Sequence, residues 1–146
     1  MDAAIKKIPY GMTNFESIIS DNYYYVDKTH YIALVEDTSR FFFFVRPRRF
    51  GKSLLVSTLD AYFRGKKDLF QGLAMERLEK EWNVYPVLHI DFSMTKYTAL
   101  SDLVGQLNLN LYDWEKLYGK EEVEETPAER FRGVIRRAYE KTGKPV

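Results

Sequence analysis

The sequence contains no cysteine and only two histidines among its 146 residues. The lack of cysteine excludes disulfide bonds and metal sites built from thiolates. His30 is expected on a helix surface, and His89 is expected to be a packed or edge residue within an apolar segment. Two histidines placed in this way make no convincing metal site.

Long apolar stretches are lacking as well. The longest uninterrupted apolar run holds about five residues, whereas a membrane-spanning helix needs about twenty. The first ten residues, MDAAIKKIPY, do not contain the apolar region of a secretory signal. We therefore expect a cytoplasmic protein without a membrane partner.

Net charge is low, +1 over the whole sequence, and indicates no particular partner. The charge is nevertheless unevenly distributed. Residues 40–67 contain eight basic residues and one acidic residue, whereas residues 68–125 contain twelve acidic and five basic residues. The acidic part is typical of a solvated surface, but the basic part is concentrated around one turn and needs a further explanation.

Strand-like and helix-like patterns alternate along the chain. Residues 22–29, 40–45 and 85–92 are rich in aromatic and aliphatic residues and are predicted to be strands, the second of them buried on both faces. Strands that alternate with helices predict an α/β fold of the P-loop NTPase type, with a mainly parallel sheet and flanking helices.

The helices are predicted from apolar spacing and from the residues at their ends. Thr126, Pro127 and Glu129 form a capping box at one helix start, and Gly65 and Gly143 are the expected C-caps of two helices. The predicted helices cover residues 30–37 with Thr29 as N-cap, the segment from Ser53 to Gly65, the second half of 68–82, residues 100–118, and the segment from Thr126 to Gly143.

The segment RPRRFGKS, residues 46–53, joins a predicted strand to a predicted helix. This is the layout of a phosphate-binding loop, in which a helix N-terminus directs free N–H groups at an anion. Gly51 would allow the backbone to approach a phosphate closely, Lys52 would contact the β- and γ-phosphates, and Ser53 would bind Mg²⁺. The match to G-x-x-x-x-G-K-[ST] is partial, because Arg46 occupies the first glycine position.

Other interpretations of this turn remain open. The three arginines could form a solvated basic turn or, with Lys66 and Lys67, a nucleic-acid-binding patch. A small-molecule phosphotransferase would share the same loop, and a regulatory domain could keep the fold without turnover. The expected nucleotide-binding residues are Arg46, Pro47, Arg48, Arg49, Phe50, Gly51, Lys52, Ser53 and Leu54, with Lys52 as the catalytic residue and Ser53 as the metal ligand.

The segment RPRRFGKSLL, residues 46–55, resembles the variant phosphate loop of the bacterial and archaeal predicted AAA-ATPase-like family. Further segments are similar to this family in order and spacing, so the resemblance covers nearly the whole chain. They are IPYGMTNFESIISDNYYYVDKT (8–29), AYFRGKKDLFQGLAMERLEKEW (61–82), YPVLHIDFS (85–93) and TPAERFRGVIRRAYEKTGKPV (126–146).

The resemblance implies an ATPase that binds ATP and Mg²⁺ through residues 46–53. Residues 1–146 would be the N-terminal portion of one AAA-ATPase-like domain, with an N-terminal extension at 1–38 and a P-loop core fragment at 39–146. In the family, a Walker B strand follows the helix that matches residues 127–142, and this sequence stops where that strand would begin. We therefore expect hydrolysis only when a Walker B segment is supplied, and we expect this chain alone to be inactive and either unstable or self-associating.

The resemblance also bears on partners. Longer family members commonly carry a domain that resembles PD-(D/E)XK nucleases, so a nucleic-acid partner would act through a domain that these residues do not contain. ATP and ADP are the expected ligands, and assembly into oligomers remains open.

Three further groups of residues keep two interpretations each. Asp91 ends an apolar segment as a Walker B acid would, but it is expected instead to cap the following turn or to pair with a base. Asp27 and Lys28 either contribute to the nucleotide pocket or form an exposed pair. The tyrosines at 23–25 could stack on a base, although packing against a sheet is the simpler account.

Overall fold

The computed structural model describes residues 5–38, 41–93 and 96–146. These residues form six α-helices and one 3₁₀ helix, and the chain divides into two compact units, Met1–Val84 and Tyr85–Val146. The first unit contains α1 (Phe15–Ser20), α2 (Tyr31–Thr38), α3 (Lys52–Phe63), the 3₁₀ helix (Lys67–Phe70) and α4 (Ala74–Leu78), and the second contains α5 (Leu100–Tyr118) and α6 (Pro127–Thr142).

The predicted α/β fold with a mainly parallel sheet is wrong. All regular secondary structure in the described parts of the chain is helical, and no residue there belongs to a β-strand. The three segments predicted as strands lie between helices without forming a ladder. Residue 40, the first of the second predicted strand, lies outside the described residues, as does residue 39 at the predicted boundary between the extension and the core.

Strand pairing explains this discrepancy. Aromatic and β-branched residues favour extended backbone, but a strand exists only where a neighbouring strand exchanges backbone hydrogen bonds with it. Tyr24 N donates to Lys7 O at 2.8 Å, yet no ladder continues from this bond among the described residues. The aromatic segment is not buried on both faces either, since the side chains of Phe41 and Phe43 are 92% and 93% exposed.

Helix α3 packs against α1 in the first unit. The two helices are joined by a hydrogen bond from Phe15 N to the Ser57 hydroxyl (2.9 Å). The predicted helix after Ser53 is confirmed, and Gly65 follows its C-terminus in the left-handed conformation (φ 68°) that the C-cap prediction requires. The buried core of this unit consists of Phe15, Ile32, Ala61, Tyr62, Phe70 and Met75.

Two shorter helices match their predictions only in part. Helix α2 begins at Tyr31, but the buried hydroxyl of Thr29 contacts Asp27 and Met75 rather than capping it. The helix predicted in the second half of 68–82 is limited to α4. It ends at Leu78, and the carboxylate of the next residue, Glu79, accepts hydrogen bonds from the Tyr62 hydroxyl (2.5 Å) and from Glu81 N (2.7 Å).

Helices α5 and α6 pack together to form the second unit. The bounds of α5 agree with the predicted 100–118, and the capping box of α6 is confirmed, because Glu129 N donates to Thr126 Oγ1 (3.3 Å) and Thr126 N donates to the Glu129 carboxylate (2.9 Å). Gly143 ends α6 at φ 67°. Leu111, Trp114 and Val134 form the buried core of this unit. None of the described helices is long and apolar enough to cross a membrane.

Candidate functional site

The predicted phosphate loop precedes α3, and residues 46–53 are all exposed. The ammonium group of Lys52 folds back over this loop. It donates hydrogen bonds to the backbone oxygens of Arg46 (2.6 Å) and Pro47 (3.4 Å). The side chain that would contact phosphates therefore lies against the first two residues of the loop.

Helix α3 begins without a side-chain cap. No side-chain hydrogen bond caps it at Gly51, whereas Asn14 caps α1 and Thr126 caps α6 through side-chain oxygens. Leu55 N donates the first helical bond to Gly51 O at 2.9 Å, so the amides of residues 52–54 have no intrahelical acceptor. Such amides, together with the helix dipole, favour an anion at this end of the helix.

The loop contains two left-handed backbone conformations, at Arg49 (φ 65°) and Gly51 (φ 74°). Glycine adopts this conformation without strain, but it costs another residue about 1–2 kcal/mol. A β-carbon on Gly51 would meet no atom within 4 Å. The backbone angle alone therefore favours glycine here, and the space beside it is open, as the close approach of a phosphate would require.

The positive charge of the loop is not compensated within the described chain. Four cationic side chains lie between residues 46 and 52, and no carboxylate of residues 5–38, 41–93 or 96–146 forms an ion pair with any of them. By contrast, Arg64, Arg130 and Arg137 each contact a carboxylate, at 2.9, 2.7 and 2.6 Å respectively. A cluster of unpaired cations beside free amides can bind a polyanion.

Two residues of the loop region have side chains that make specific packing contacts. The guanidinium of Arg46 lies over the ring of Phe44, 5.8 Å from its centre. Phe44 was not among the residues predicted for this site, and the signal in the sequence was an aromatic residue two positions before a cation. Leu54 packs its side chain against the core of the first unit, so only its backbone amide faces the start of the helix.

Asp27 and Thr29 connect the segment before α2 to α4. Asp27 accepts hydrogen bonds from Thr29 N (2.9 Å), from the Thr29 hydroxyl (2.8 Å) and from Ala74 N (2.7 Å), and the same hydroxyl accepts one from Met75 N (3.0 Å). Burial by itself would raise the pKa of Asp27, but these hydrogen bonds outweigh burial and lower that pKa. Both carboxylate oxygens of Asp27 are engaged, which supports a structural role, while Lys28 is exposed.

The tyrosines at 23–25 do not pack against a sheet, because no strand is present in the described chain. Tyr25 instead contacts Phe15 edge to face, with ring centres 5.3 Å apart. Burial raises the pKa of Tyr25. The three tyrosines also line an open cavity of about 420 Å³.

Asp91 caps a turn, as one of its two interpretations predicts. Its Oδ1 accepts a hydrogen bond from Ser93 N at 2.7 Å, and hydrogen bonds from Ser93 lower the pKa of Asp91. His30 is exposed as expected, and His89 is exposed rather than packed. In the part of the chain that the structure describes, no group of three or more His, Cys, Asp or Glu side chains could hold a metal ion.

A family model described as "Predicted AAA-ATPase" matches residues 9–146. The chain belongs to this AAA-ATPase-like family. The family is described as predicted ATPases, and this description indicates an interaction with nucleotide. The resemblance inferred from the sequence is thereby confirmed over nearly the whole chain.

A curated relative is named "Uncharacterized protein in vnfD 5'region" and comes from Azotobacter chroococcum mcd 1. It is 35% identical over 142 residues, which are 97% of this chain and 28% of the relative. The chain thus spans less than a third of that protein's length. The relative is bacterial, which supports the bacterial source expected for this family. No solved structure matches the chain.

Proposed function

We propose that residues 46–53 bind the triphosphate of ATP together with Mg²⁺. The observation that carries this proposal is the uncompensated positive charge of the loop beside the uncapped N-terminus of a 12-residue helix. Membership of the predicted AAA-ATPase family supports ATP as the polyanion. We further propose that a protein of this family that also supplies a Walker B segment hydrolyses the bound ATP.

The proposed roles follow from where the groups lie. The amides of residues 52–54 would donate to phosphate oxygens, and Lys52 would exchange its contacts with the Arg46 and Pro47 carbonyls for the β- and γ-phosphates. Arg48 and Arg49 are exposed and would supply further charge-assisted hydrogen bonds.

Ser53 is the proposed metal ligand. Its hydroxyl is exposed in the first turn of α3, and Mg²⁺ prefers oxygen ligands and is commonly held by one or two protein groups together with substrate phosphates. A single hydroxyl therefore fits this metal when the triphosphate provides other ligands. The bound metal would neutralise part of the phosphate charge.

Nucleic acid is the alternative ligand of the basic loop. Lys66 and Lys67 would have to extend the loop into one patch, but they follow α3, and a 12-residue helix is about 18 Å long. Lys66 also contacts Glu16 at 2.5 Å. Lys66 and Lys67 are therefore separated from the loop by the length of α3 and do not form one continuous patch with it.

The test is a titration of the chain with fluorescently labelled ATP and Mg²⁺. We expect Lys52→Ala to weaken binding about tenfold or more, because a charge-assisted contact is lost. Lys67→Ala is the matched control, since it removes the same charge at the other end of α3 and should leave the affinity unchanged. Equal affinity of Lys52→Ala and the parent would remove Lys52 from the site.

Competition distinguishes the two ligand classes. ADP with Mg²⁺ should displace the labelled ATP, and a short oligonucleotide should not. Displacement by the oligonucleotide, with a steep loss of its binding as salt is raised, would instead establish the nucleic-acid alternative.

A further inference from the structure

Arg46 is fixed at both its backbone and its side chain. Its carbonyl oxygen accepts the hydrogen bond from the Lys52 ammonium at 2.6 Å, and its guanidinium lies over the Phe44 ring. The ring of Phe44 is in turn stacked with that of Phe42, with centres 6.3 Å apart and planes inclined by 21°. Arg46, although exposed to solvent, thus makes contacts through both its backbone carbonyl and its side chain.

Arg46 stands at a position of the phosphate-loop pattern where a charged side chain is unusual. In the G-x-x-x-x-G-K-[ST] pattern the corresponding residue is glycine, which has no side chain to place. Arginine, unlike glycine, has a long charged side chain that needs a favourable location in the loop. The face of an aromatic ring provides one, because it attracts a guanidinium within about 6 Å. Phe44 therefore provides a place for a charge that the usual loop does not carry.

Lys52, the proposed phosphate contact, forms a hydrogen bond with Arg46, the residue that carries the extra charge. The Lys52 ammonium contacts the backbone carbonyl of Arg46, so its charge lies at the same corner of the loop as the residue that carries the second cation. Neither is paired with a carboxylate of the described residues. A ligand with more negative charge at this corner gains more from the second cation than one with less.

We propose that Phe44 is a positioning residue that holds Arg46 beside Lys52, and that Arg46 makes the site prefer a nucleoside triphosphate over the diphosphate. This inference rests on the proposed function and deepens it, because it assigns the choice between ATP and ADP to one residue and its aromatic support. Arg46 would contact the terminal phosphate, and Phe44 would act only through Arg46.

The test compares the affinities of ATP and ADP, each with Mg²⁺, for the parent chain and its variants. We expect Arg46→Ala to lower the ratio of ATP to ADP affinity about tenfold and Phe44→Leu to lower it about threefold, the size expected for an exposed cation–π contact. Phe43→Leu is the matched control, because Phe43 is a neighbouring phenylalanine that is 93% exposed, and it should leave the ratio unchanged.

A double-mutant cycle separates positioning from a merely structural role. If Phe44 acts through Arg46, Phe44→Leu in the Arg46→Ala background should change the ratio no further. An additive effect, an equal loss of ATP and ADP binding, or the same effect from Phe43→Leu would overturn the proposal. Phe44→Trp provides a second variant, since tryptophan binds a cation best, and it should preserve or raise the ratio even if the leucine variant does not fold.

The outcomes also distinguish this inference from the function on which it rests. If Lys52→Ala binds ATP as well as the parent does, the proposed ATP site itself is wrong. If Lys52→Ala fails to bind ATP but Arg46→Ala keeps the parent's ratio, the ATP site stands and only the assignment of specificity to Arg46 and Phe44 is wrong.

Discussion

The carboxylate of Glu124 lies in the space that a β-carbon on Gly133 would occupy. Glu124 is buried there and binds the guanidinium of Arg137 through both oxygens, at 2.6 and 2.9 Å. The absence of a side chain at Gly133 therefore allows the acidic loop before α6 to rest on the helix and to form a buried ion pair with it.

Gly133→Ala should destabilise the chain, although alanine favours a helix more than glycine does. The new methyl group would displace the Glu124 carboxylate and leave the guanidinium of Arg137 without the charged hydrogen-bond partner it has in the fold, at a cost of about 2 kcal/mol. Urea unfolding followed by circular dichroism measures this change.

The matched control for this substitution is Gly105→Ala in α5. A β-carbon there would meet no atom within 4 Å, so only helix propensity changes, and the free energy of unfolding should rise by about 0.5–1 kcal/mol. If both substitutions stabilised the chain alike, Glu124 could not be held against Gly133 in solution.

Acid should weaken the packing of α5 against α6. A hydrogen bond from Arg130 lowers the pKa of Glu115, and one from Arg137 lowers the pKa of Glu124. Since the folded pKa lies below the unfolded value of about 4.3, the stabilisation is fully present above that value and is lost as pH falls through the folded pKa.

Urea midpoints measured between pH 7 and pH 2.5 check this dependence. Glu115→Gln should lower stability at pH 7 and make the decline in acid shallower, because one titrating partner is gone. Glu122→Gln, in the exposed part of the acidic loop, should keep the parent's slope. A decline that is equally steep in Glu115→Gln would exclude the pair with Arg130 as its source.

Arg49→Gly should weaken ATP binding without weakening the fold. The substitution removes a left-handed arginine that costs about 1–2 kcal/mol, and it removes one cation of the loop. Arg48→Gly is the control, because it removes the same charge where the backbone angle is not positive. We expect both variants to bind labelled ATP more weakly, but only Arg49→Gly to match or exceed the parent in thermal stability.

Thr29→Val should lower stability by about 1–3 kcal/mol, because Met75 N would lose its buried acceptor. Thr29→Ser keeps the hydroxyl and should restore most of this loss. Neither variant should change the affinity of the folded chain for ATP, since the contacts of Thr29 and Asp27 are with α4. A variant that lost ATP binding at unchanged stability would place this segment in the nucleotide pocket instead.

Sequence patterns predicted the helices where the deciding interactions are local. Helix α5 has a continuous apolar stripe, and α6 has a capping box at Thr126 and a C-cap at Gly143, all of which act within a few residues of the chain. The free amides at the start of α3 were likewise expected from the RPRRFGKS segment, whereas the left-handed conformation of Gly51 was not predicted. The clustered positive charge of the loop can be recognised from the sequence alone.

Tertiary structure decided the rest. Whether an aromatic segment such as 41–45 becomes a strand depends on a partner strand, and nothing within the segment encodes that partner. The sequence left two interpretations open for Asp27, and only the fold brings its carboxylate to Ala74 N, which lies 47 positions away. The pairing of Glu124 with Arg137 over Gly133, and the placement of the Arg46 guanidinium on Phe44, likewise depend on side-chain directions in space. The helix-capping residues and the charge distribution follow from the sequence, because they depend on residues close together along the chain. Hydrogen-bond partners that are distant along the chain depend on the fold, because only folding brings them together.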